Sequence, residues 1–288
     1  MKTEKPKSKS KKISFSLKRK LIKQSAFGFC NFRVTNFAGG KIYTGKWKNF
    51  CTPGLNCYSC PGATFSCPIG AMQAAAGSQK FNFSFYAVGI ILAFGIILGR
   101  GVCAFLCPFG LFQELLHKIP SPKLTLPKPC KYIKYVILLV FVLILPVASK
   151  TPMGNGDPAF CKYICPAGTL EGGIPLLSLN PHLRNTAGWL FALKAFILSA
   201  VVVMSVFIQR FFCKTLCPLG ALYGFLNKIS LMHINVDLEK CTQCGSCKNH
   251  CPMDVNPVKE NRTLECINCG KCTEVCPSKA LKISWWGK

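Results

Sequence analysis

Apolar positions along the chain collect into three long runs rather than alternating or recurring on one face. Phe81 to Gly99 reads FNFSFYAVGIILAFGIILG, Tyr132 to Ser149 reads YIKYVILLVFVLILPVAS, and Trp189 to Ile208 reads WLFALKAFILSAVVVMSVFI. Each is long enough, or nearly so, to cross a hydrocarbon layer about 30 Å thick as a helix. Lys134 and Lys194 interrupt the last two runs, and Arg100, Lys131, Lys150 and Arg210 flank them. A lysine near a span end can snorkel to the interface. The pattern predicts three membrane-spanning helices, about 81–99, 132–149 and 189–208, over three buried helices of a soluble protein.

The runs sit inside a repeat. Arg100-Gly-Val-Cys103-Ala-Phe-Leu-Cys107-Pro108-Phe-Gly110 aligns without a gap on Arg210-Phe-Phe-Cys213-Lys-Thr-Leu-Cys217-Pro218-Leu-Gly220, and each copy directly follows an apolar run. A weaker pair, Cys67-Pro68-Ile-Gly70 and Cys165-Pro166-Ala-Gly168, precedes the runs. Such self-similarity is expected of a duplicated architecture. If the halves share one orientation, the 132–149 run is the return crossing. Cys103, Cys107, Cys213 and Cys217 then fall on one membrane face, and Cys57, Cys60, Cys67, Cys161 and Cys165 on the other. The Lys and Arg excess of 100–131 places that segment and the C-terminal region in the cytoplasm.

Charge sharpens this picture. The chain has 288 residues, with 36 Lys and Arg against 10 acids, a net charge of +26. Half of its residues are hydrophobic and 16% charged, which excludes a disordered chain. A basic nucleic-acid module would be soluble, and the apolar runs argue against it. Residues 1–23 read instead as a basic cytoplasmic arm at an anionic membrane surface. No apolar core with a cleavage site follows them, so no signal peptide is expected. With the arm inside, a further crossing is required between residues 21 and 50. That stretch makes a poor span, and is expected to be either a short crossing or an interfacial helix.

The chemistry lies in the 20 cysteines. Cys241-x2-Cys244-x2-Cys247-x3-Cys251-Pro252 and Cys266-x2-Cys269-x2-Cys272-x3-Cys276-Pro277 carry the bacterial two-cluster ferredoxin spacing. Three close thiolates wrap three corners of an iron–sulfur cube and the fourth comes from the other repeat. One [4Fe-4S] cluster should therefore take Cys241, Cys244, Cys247 and Cys276, and the other Cys266, Cys269, Cys272 and Cys251. Zinc is the rival for paired Cys-x-x-Cys units. Outside this tail, Cys103, Cys107, Cys213 and Cys217 supply the four ligands of one more cluster, or two free thiol pairs. Cys57, Cys60 and Cys67 with Cys161 or Cys165 could hold another, with disulfides as the alternative. Arg100 and Arg210 either offset cluster charge or anchor the spans. Glu171 and Asp157 are read as solvated loop carboxylates, with the handling of a quinone proton as the alternative. Cys30 and Cys130 fit no motif, and His117, His182, His233 and His250 form no ligand pattern.

Residues from about 41 to the end resemble the membrane-bound 4Fe-4S binding proteins of the NapH type. The resemblance rests on CTPGLNCYSCPGATFSCPIGAMQ (51–73), CAFLCPFG (103–110), CKYICPAGTLEGGIP (161–175), CKTLCPLGALYG (213–224) and the tail. It implies a multi-pass membrane protein that moves electrons from a quinol pool or a soluble donor to a partner reductase. The cysteines at 51–67 and 161–165 depart from that family's pattern. The expected fold is mainly α: a membrane domain over 24–230 with internal duplication, then a small α+β two-cluster ferredoxin module over 231–288. The expected function is a membrane-bound electron relay, with no catalytic residue of its own. An iron–sulfur maturation or redox-sensing accessory factor is the alternative.

Overall fold

A computed structural model describes residues 15–77, 84–149, 156–185, 187–260 and 262–286. Helices dominate. The first, α1 (Phe15–Cys30), is followed by an irregular stretch to Ser66 with short turns of helix. Then come α2 (Pro68–Gly77), α3 (Ser84–Leu98) and α4 (Pro108–Leu116). A continuous helical stretch, α5 (Lys128–Ala148), leads to a second over 166–179, then α6 (Trp189–Phe207) and α7 (Pro218–Leu226).

Two of these helices are long and apolar enough to cross a membrane, α5 with mean hydropathy 2.2 and α6 with 2.4. Their large side chains point outward: Val136, Leu139, Ile144, Val147, Phe196 and Val203 are all exposed. A soluble core helix would turn such residues inward. The third expected span is shorter. Its helix is α3, and within it Tyr86–Leu98 is the apolar part. Residues 81–83 of that run lie outside the described residues, as does Lys150. Mid-way through α5 the backbone takes wide π turns over Leu138–Ile144. They directly precede Pro146, whose missing N–H and ring obstruct a regular turn.

The N-terminal arm is more ordered than a solvated tail. Residues 1–14 lie outside the described residues, but 15–23 belong to α1, and Arg19 and Lys23 on it are buried. The stretch 21–50 contains no long apolar helix; the end of α1, a short helix at Thr35–Gly39 and a turn at Lys46–Asn49 occupy it.

The tail closes with a two-stranded antiparallel sheet. β1 (Met232–Val236) pairs with β2 (Leu281–Trp285), Ile234 facing Ile283. Met232 and Ile234 are buried. The strands hold the ends of a module too small to make a large core of its own. Asn227, at the end of α7, locks this module to the helices. Its Nδ2 donates to Thr263 O at 2.8 Å, and its Oδ1 accepts from Asn268 Nδ2 at 2.9 Å.

Candidate metal centres

Four Cys-Pro-x-Gly turns begin four helical segments, at Cys67, Cys107, Cys165 and Cys217. Proline suits the first helical position because its missing N–H would be unpaired there anyway. Cysteine then stands at the N-cap, where a side-chain acceptor meets free backbone N–H groups. Gly168 N donates to Cys165 Sγ at 3.4 Å and Gly220 N to Cys217 Sγ at 3.3 Å. Gly70 and Gly110 serve Cys67 and Cys107 in the same way. All four sulfurs thus lie at the positive ends of helices, a setting that favours an anionic group.

Six residues after each of these cysteines stands a hydrogen-bonding side chain, and two of the four reach a thiol. Gln113 Nε2 donates to Cys213 Sγ at 3.2 Å while its Oε1 accepts from Phe212 N at 3.0 Å. Gln73 repeats both bonds, to Cys161 Sγ at 3.2 Å and from Phe160 N at 2.9 Å. Glu171, expected in a solvated loop, is half-buried and accepts from Cys57 N at 2.8 Å. Burial pushes its carboxyl up to about 7 against the opposing effect of that N–H. Tyr223 is fully buried and donates to Pro53 O at 2.8 Å. These four positions are legible as one column of the repeat, yet their partners come from distant segments and the sequence alone does not point to them.

The thiols gather into sets. Cys103, Cys107, Cys213 and Cys217 are all buried, and each of the other three raises the pKa of Cys217 by its charge. Cys57, Cys161 and Cys67 act on Cys165 in the same way. Cys57 Sγ and Cys165 Sγ both lie within 4 Å of where a Gly168 Cβ would stand. The Cys60 sulfur takes N–H bonds from Gly62 and Ala63 close to Lys48. Cys57, Cys67, Cys161 and Cys165 are thus neighbours, and Cys60 shares the Glu171 carboxylate with Cys57. Burial is the first cause of the raised pKa at Cys107, pushed up to about 12, and at Cys161, also about 12. Left alone these are neutral thiols, and metal binding must release their protons.

The two sets do not stand at opposite faces of the molecule. Leu55 N–H bonds Cys107 Sγ and the next N–H, of Asn56, bonds Cys67 Sγ. Consecutive peptide groups therefore separate them. Gly54 permits the approach, since a Cβ there would lie 3.1 Å from Cys107 Cα. The inference from span topology failed because the short helices after each Cys-Pro turn begin inside the fold rather than at its rim.

The tail cysteines line two cavities. Cys241, Cys244, Cys247 and Cys276 surround one of about 350 Å³. Cys251, Cys266, Cys269 and Cys272 line a smaller one. The backbone explains the shape. Gln243 and Gly245 take left-handed φ of 52° and 74°, and Asn268 and Gly270 repeat this at 48° and 73°. Asp254 and Lys279, each three residues past a fourth cysteine, both have φ of 52°. Left-handed conformations of non-glycine residues are costly, and their use here turns successive N–H groups inward as an anion-binding nest. All twenty cysteines are free. Among the described residues, no three Cys, His, Asp or Glu side chains close on a single point, as a zinc ion with Zn–S of about 2.3 Å would need.

Buried positive charge surrounds the thiols. Among the described residues Arg19, Lys23, Lys48, Arg100, Lys134, Arg210 and Lys214 are buried, and the acids that meet them, Glu114, Glu265 and Asp254, keep 10%, 15% and 30% of their side-chain surface exposed. Arg100 and Arg210 are not interface anchors. Arg100 Nη2 donates to Cys213 O at 3.1 Å, and Arg210 Nη1 donates to Cys103 O at 3.0 Å. Glu265 pairs with Arg100 at 2.9 Å and with Lys134 at 2.5 Å, so Lys134 does not snorkel. Glu114 pairs with Arg210 at 2.7 Å and Lys23 at 2.8 Å, and Arg19 lies 3.7 Å away. Those cations hold the Glu114 carboxyl well below its usual range despite its burial. Lys214 pairs with Asp254 at 2.5 Å. Three carboxylates thus face six of the seven buried cations. The remaining one, Lys48, donates to Ala63 O at 2.8 Å near Cys57 and Cys60.

These features, four-thiol sets, inward N–H groups and buried cations that outnumber their carboxylates, define an iron–sulfur protein. The family model described as a 4Fe-4S binding domain matches residues 81–127, 135–174 and 190–236, and the one described as a 4Fe-4S dicluster domain matches 233–277. These matches relate the chain to ferredoxin-type 4Fe-4S proteins such as NapH and MauN. It is 28% identical over 186 residues to the ferredoxin-type protein NapH of Haemophilus influenzae, covering 64% of this chain and 58% of that one. It is 28% identical over 167 residues to the methylamine utilization ferredoxin-type protein MauN of Paracoccus denitrificans, covering 58% and 53%. With the putative electron transport protein YccM of Escherichia coli it shares 26% identity over 192 residues, covering 62% of this chain and 50% of YccM. The chain thus spans between about half and two thirds of the length of these relatives. No solved structure gives a significant match.

Proposed function

We propose that the chain is a multi-pass membrane protein that relays electrons, each of its four thiol sets holding a [4Fe-4S] cluster. The observation that carries this reading is the surplus of buried Lys and Arg around the thiols. Burying unpaired charge is expensive, and a cluster wrapped by four thiolates supplies the missing negative charge. Bound in these sites, clusters would supply one-electron redox change at iron. The chain's own contribution is to line the sites up and keep water out. The Cys57/Cys67/Cys161/Cys165 set abuts the Cys103/Cys107/Cys213/Cys217 set through Leu55 and Asn56. Arg100 links the second set to the tail: it bonds Cys213 O, Leu264 O and Glu265, next to Cys266. Cys272 neighbours Cys247 of the last set. Of the twenty cysteines, all among the described residues, Cys244 is the exposed one. A soluble redox partner is therefore expected to dock at the Cys244 end.

The duplicated motif, the outward-facing apolar helices and the basic 100–131 segment support a membrane location with the ferredoxin module in the cytoplasm. The relatives named for electron transport and for ferredoxin-type function support a redox partner enzyme. The test is anaerobic purification with iron and sulfide counts and reduced-state EPR. About sixteen irons per chain are expected, while about eight would restrict clusters to the tail. A colourless, iron-free protein made without oxygen would refute the proposal.

A further inference from the structure

The two-stranded sheet has two unlike ends. At one end Trp285 pairs with Met232, and Trp286 follows it. At the other, Leu281 pairs with Val236. Leu281 and its neighbour Ala280 line the cavity of Cys241, Cys244, Cys247 and Cys276. The two ends lie about 14 Å apart along the strand.

The tryptophan end sits where the apolar helices stop. Trp286 N donates to Leu231 O at 3.1 Å, and Leu231 N donates to Ile96 O at 2.8 Å. Ile96 stands in the last turn of α3. Close by in the fold, Phe225 at the end of α7 meets Tyr135, near the start of α5, edge-on at 5.3 Å. Tyr132, Phe225, Ile229, Trp285 and Trp286 are all exposed, Trp286 to 75%. Lys228, beside Ile229, is exposed as well. Single apolar side chains at a surface are ordinary, but here they gather at one level, with a basic residue among them. Aromatic rings with a polar edge concentrate at the boundary between hydrocarbon and water, where the ring is buried and the N–H or O–H stays wet. Ile96 and Ile97 of α3 are exposed too, so this level adjoins side chains that a bilayer around α3 would cover.

We infer that Trp285 and Trp286 seat this end of the sheet in the head-group layer of the bilayer, so that the sheet stands up from the membrane and carries the Cys244 site into water. The module is then fixed against the lipid surface rather than free to swing, and a soluble partner reaches Cys244 without meeting lipid. Lys228 adds attraction to anionic head groups. The inference rests on the membrane location proposed above, and names the surface by which the ferredoxin module meets that membrane.

The test is tryptophan fluorescence of the full chain, with iron content recorded, in nanodiscs whose lipids carry bromine on shallow or on deep acyl carbons, and with iodide as the aqueous quencher. The chain has four tryptophans. Trp47→Phe with Trp189→Phe leaves Trp285 and Trp286 as reporters. Their emission should fall most with shallow bromines, less with deep ones, and least with iodide. Trp47→Phe with Trp285→Phe and Trp286→Phe leaves Trp189, the first residue of α6 and 83% exposed, as the reporter of the span itself. Brominated lipid should quench it too. Should the Trp47→Phe background fail to assemble, the difference between the unsubstituted chain and Trp285→Phe with Trp286→Phe gives the same reading from exposed positions alone. If Trp189 is quenched by bromine while Trp285 and Trp286 yield only to iodide, the lipid contact is overturned and the membrane location stands. If Trp189 is quenched and neither quencher reaches Trp285 and Trp286, the contact is likewise overturned, since a second copy or a protein partner covers them. Bromines that reach none of the three overturn the membrane location, and this inference with it.

Discussion

At the residue scale, tuning falls to Gln73 and Gln113, six positions after Cys67 and Cys107. Gln73 and Gln113 each send one N–H to a thiol of the opposite motif, at 3.2 Å in both cases. Hydrogen bonds to cluster sulfur favour the more negative, reduced state and so raise the potential. Gln113→Leu should therefore lower one midpoint potential by some tens of millivolts, about 59 mV corresponding to a tenfold change for one electron. EPR-monitored redox titration would read the shift, and Gln73→Leu should move a different signal. The tail glycines make a second contrast. Gly245 and Gly270 share the same left-handed φ, but a Cβ at Gly245 meets nothing, whereas one at Gly270 would clash with the Phe15 ring. Gly245→Ala should cost about 1–2 kcal/mol and keep its iron. Gly270→Ala should also expel the start of α1, read as faster proteolysis near residues 15–23.

At the element scale, α1 behaves as a strap across the base of the tail module. Ser16 N donates to Glu274 Oε1 at 3.0 Å, and Arg19 and Lys23 converge with Arg210 on Glu114. Removing one partner of a buried ion pair typically costs about 3–5 kcal/mol, because the other charges are left uncompensated. Glu114→Gln strands three cations at once and should destabilise the chain by at least the lower figure, measured as a lower thermal midpoint in detergent. The elements were legible in unequal measure. The apolar runs of α5 and α6 and the spacing of the tail cysteines are local patterns, and both reappear in the fold with little change. The strap was not visible, because Lys-rich sequence looks solvated unless its acidic partner, 91 residues away for Lys23, is known. The same holds for Arg100 and Glu265, 165 residues apart.

At the scale of the whole molecule, the decisive feature is that two thiol sets read from topology as a membrane-width apart stand back to back. The repeat and the charge bias described where the spans point, but not that the Cys-Pro helices start in the interior, which depends on the 51–57 loop threading between them. That loop feeds Leu55 N–H to Cys107 and Asn56 N–H to Cys67. Clusters held by neighbouring sets would be close enough to interact magnetically when both are reduced, whereas clusters about 30 Å apart across a bilayer core would behave as independent spins. Fully reduced protein should therefore give a broadened, interacting EPR spectrum. Cys67→Ala should lower the iron count by about four per chain and sharpen the signal of the Cys103/Cys107/Cys213/Cys217 set. Cys244→Ala, at the exposed end of the tail, should leave that interaction in place. An unchanged spectrum in Cys67→Ala with its iron reduced would mean that the two sets hold clusters too far apart to couple, and would restore the topology in which they face opposite sides of the membrane.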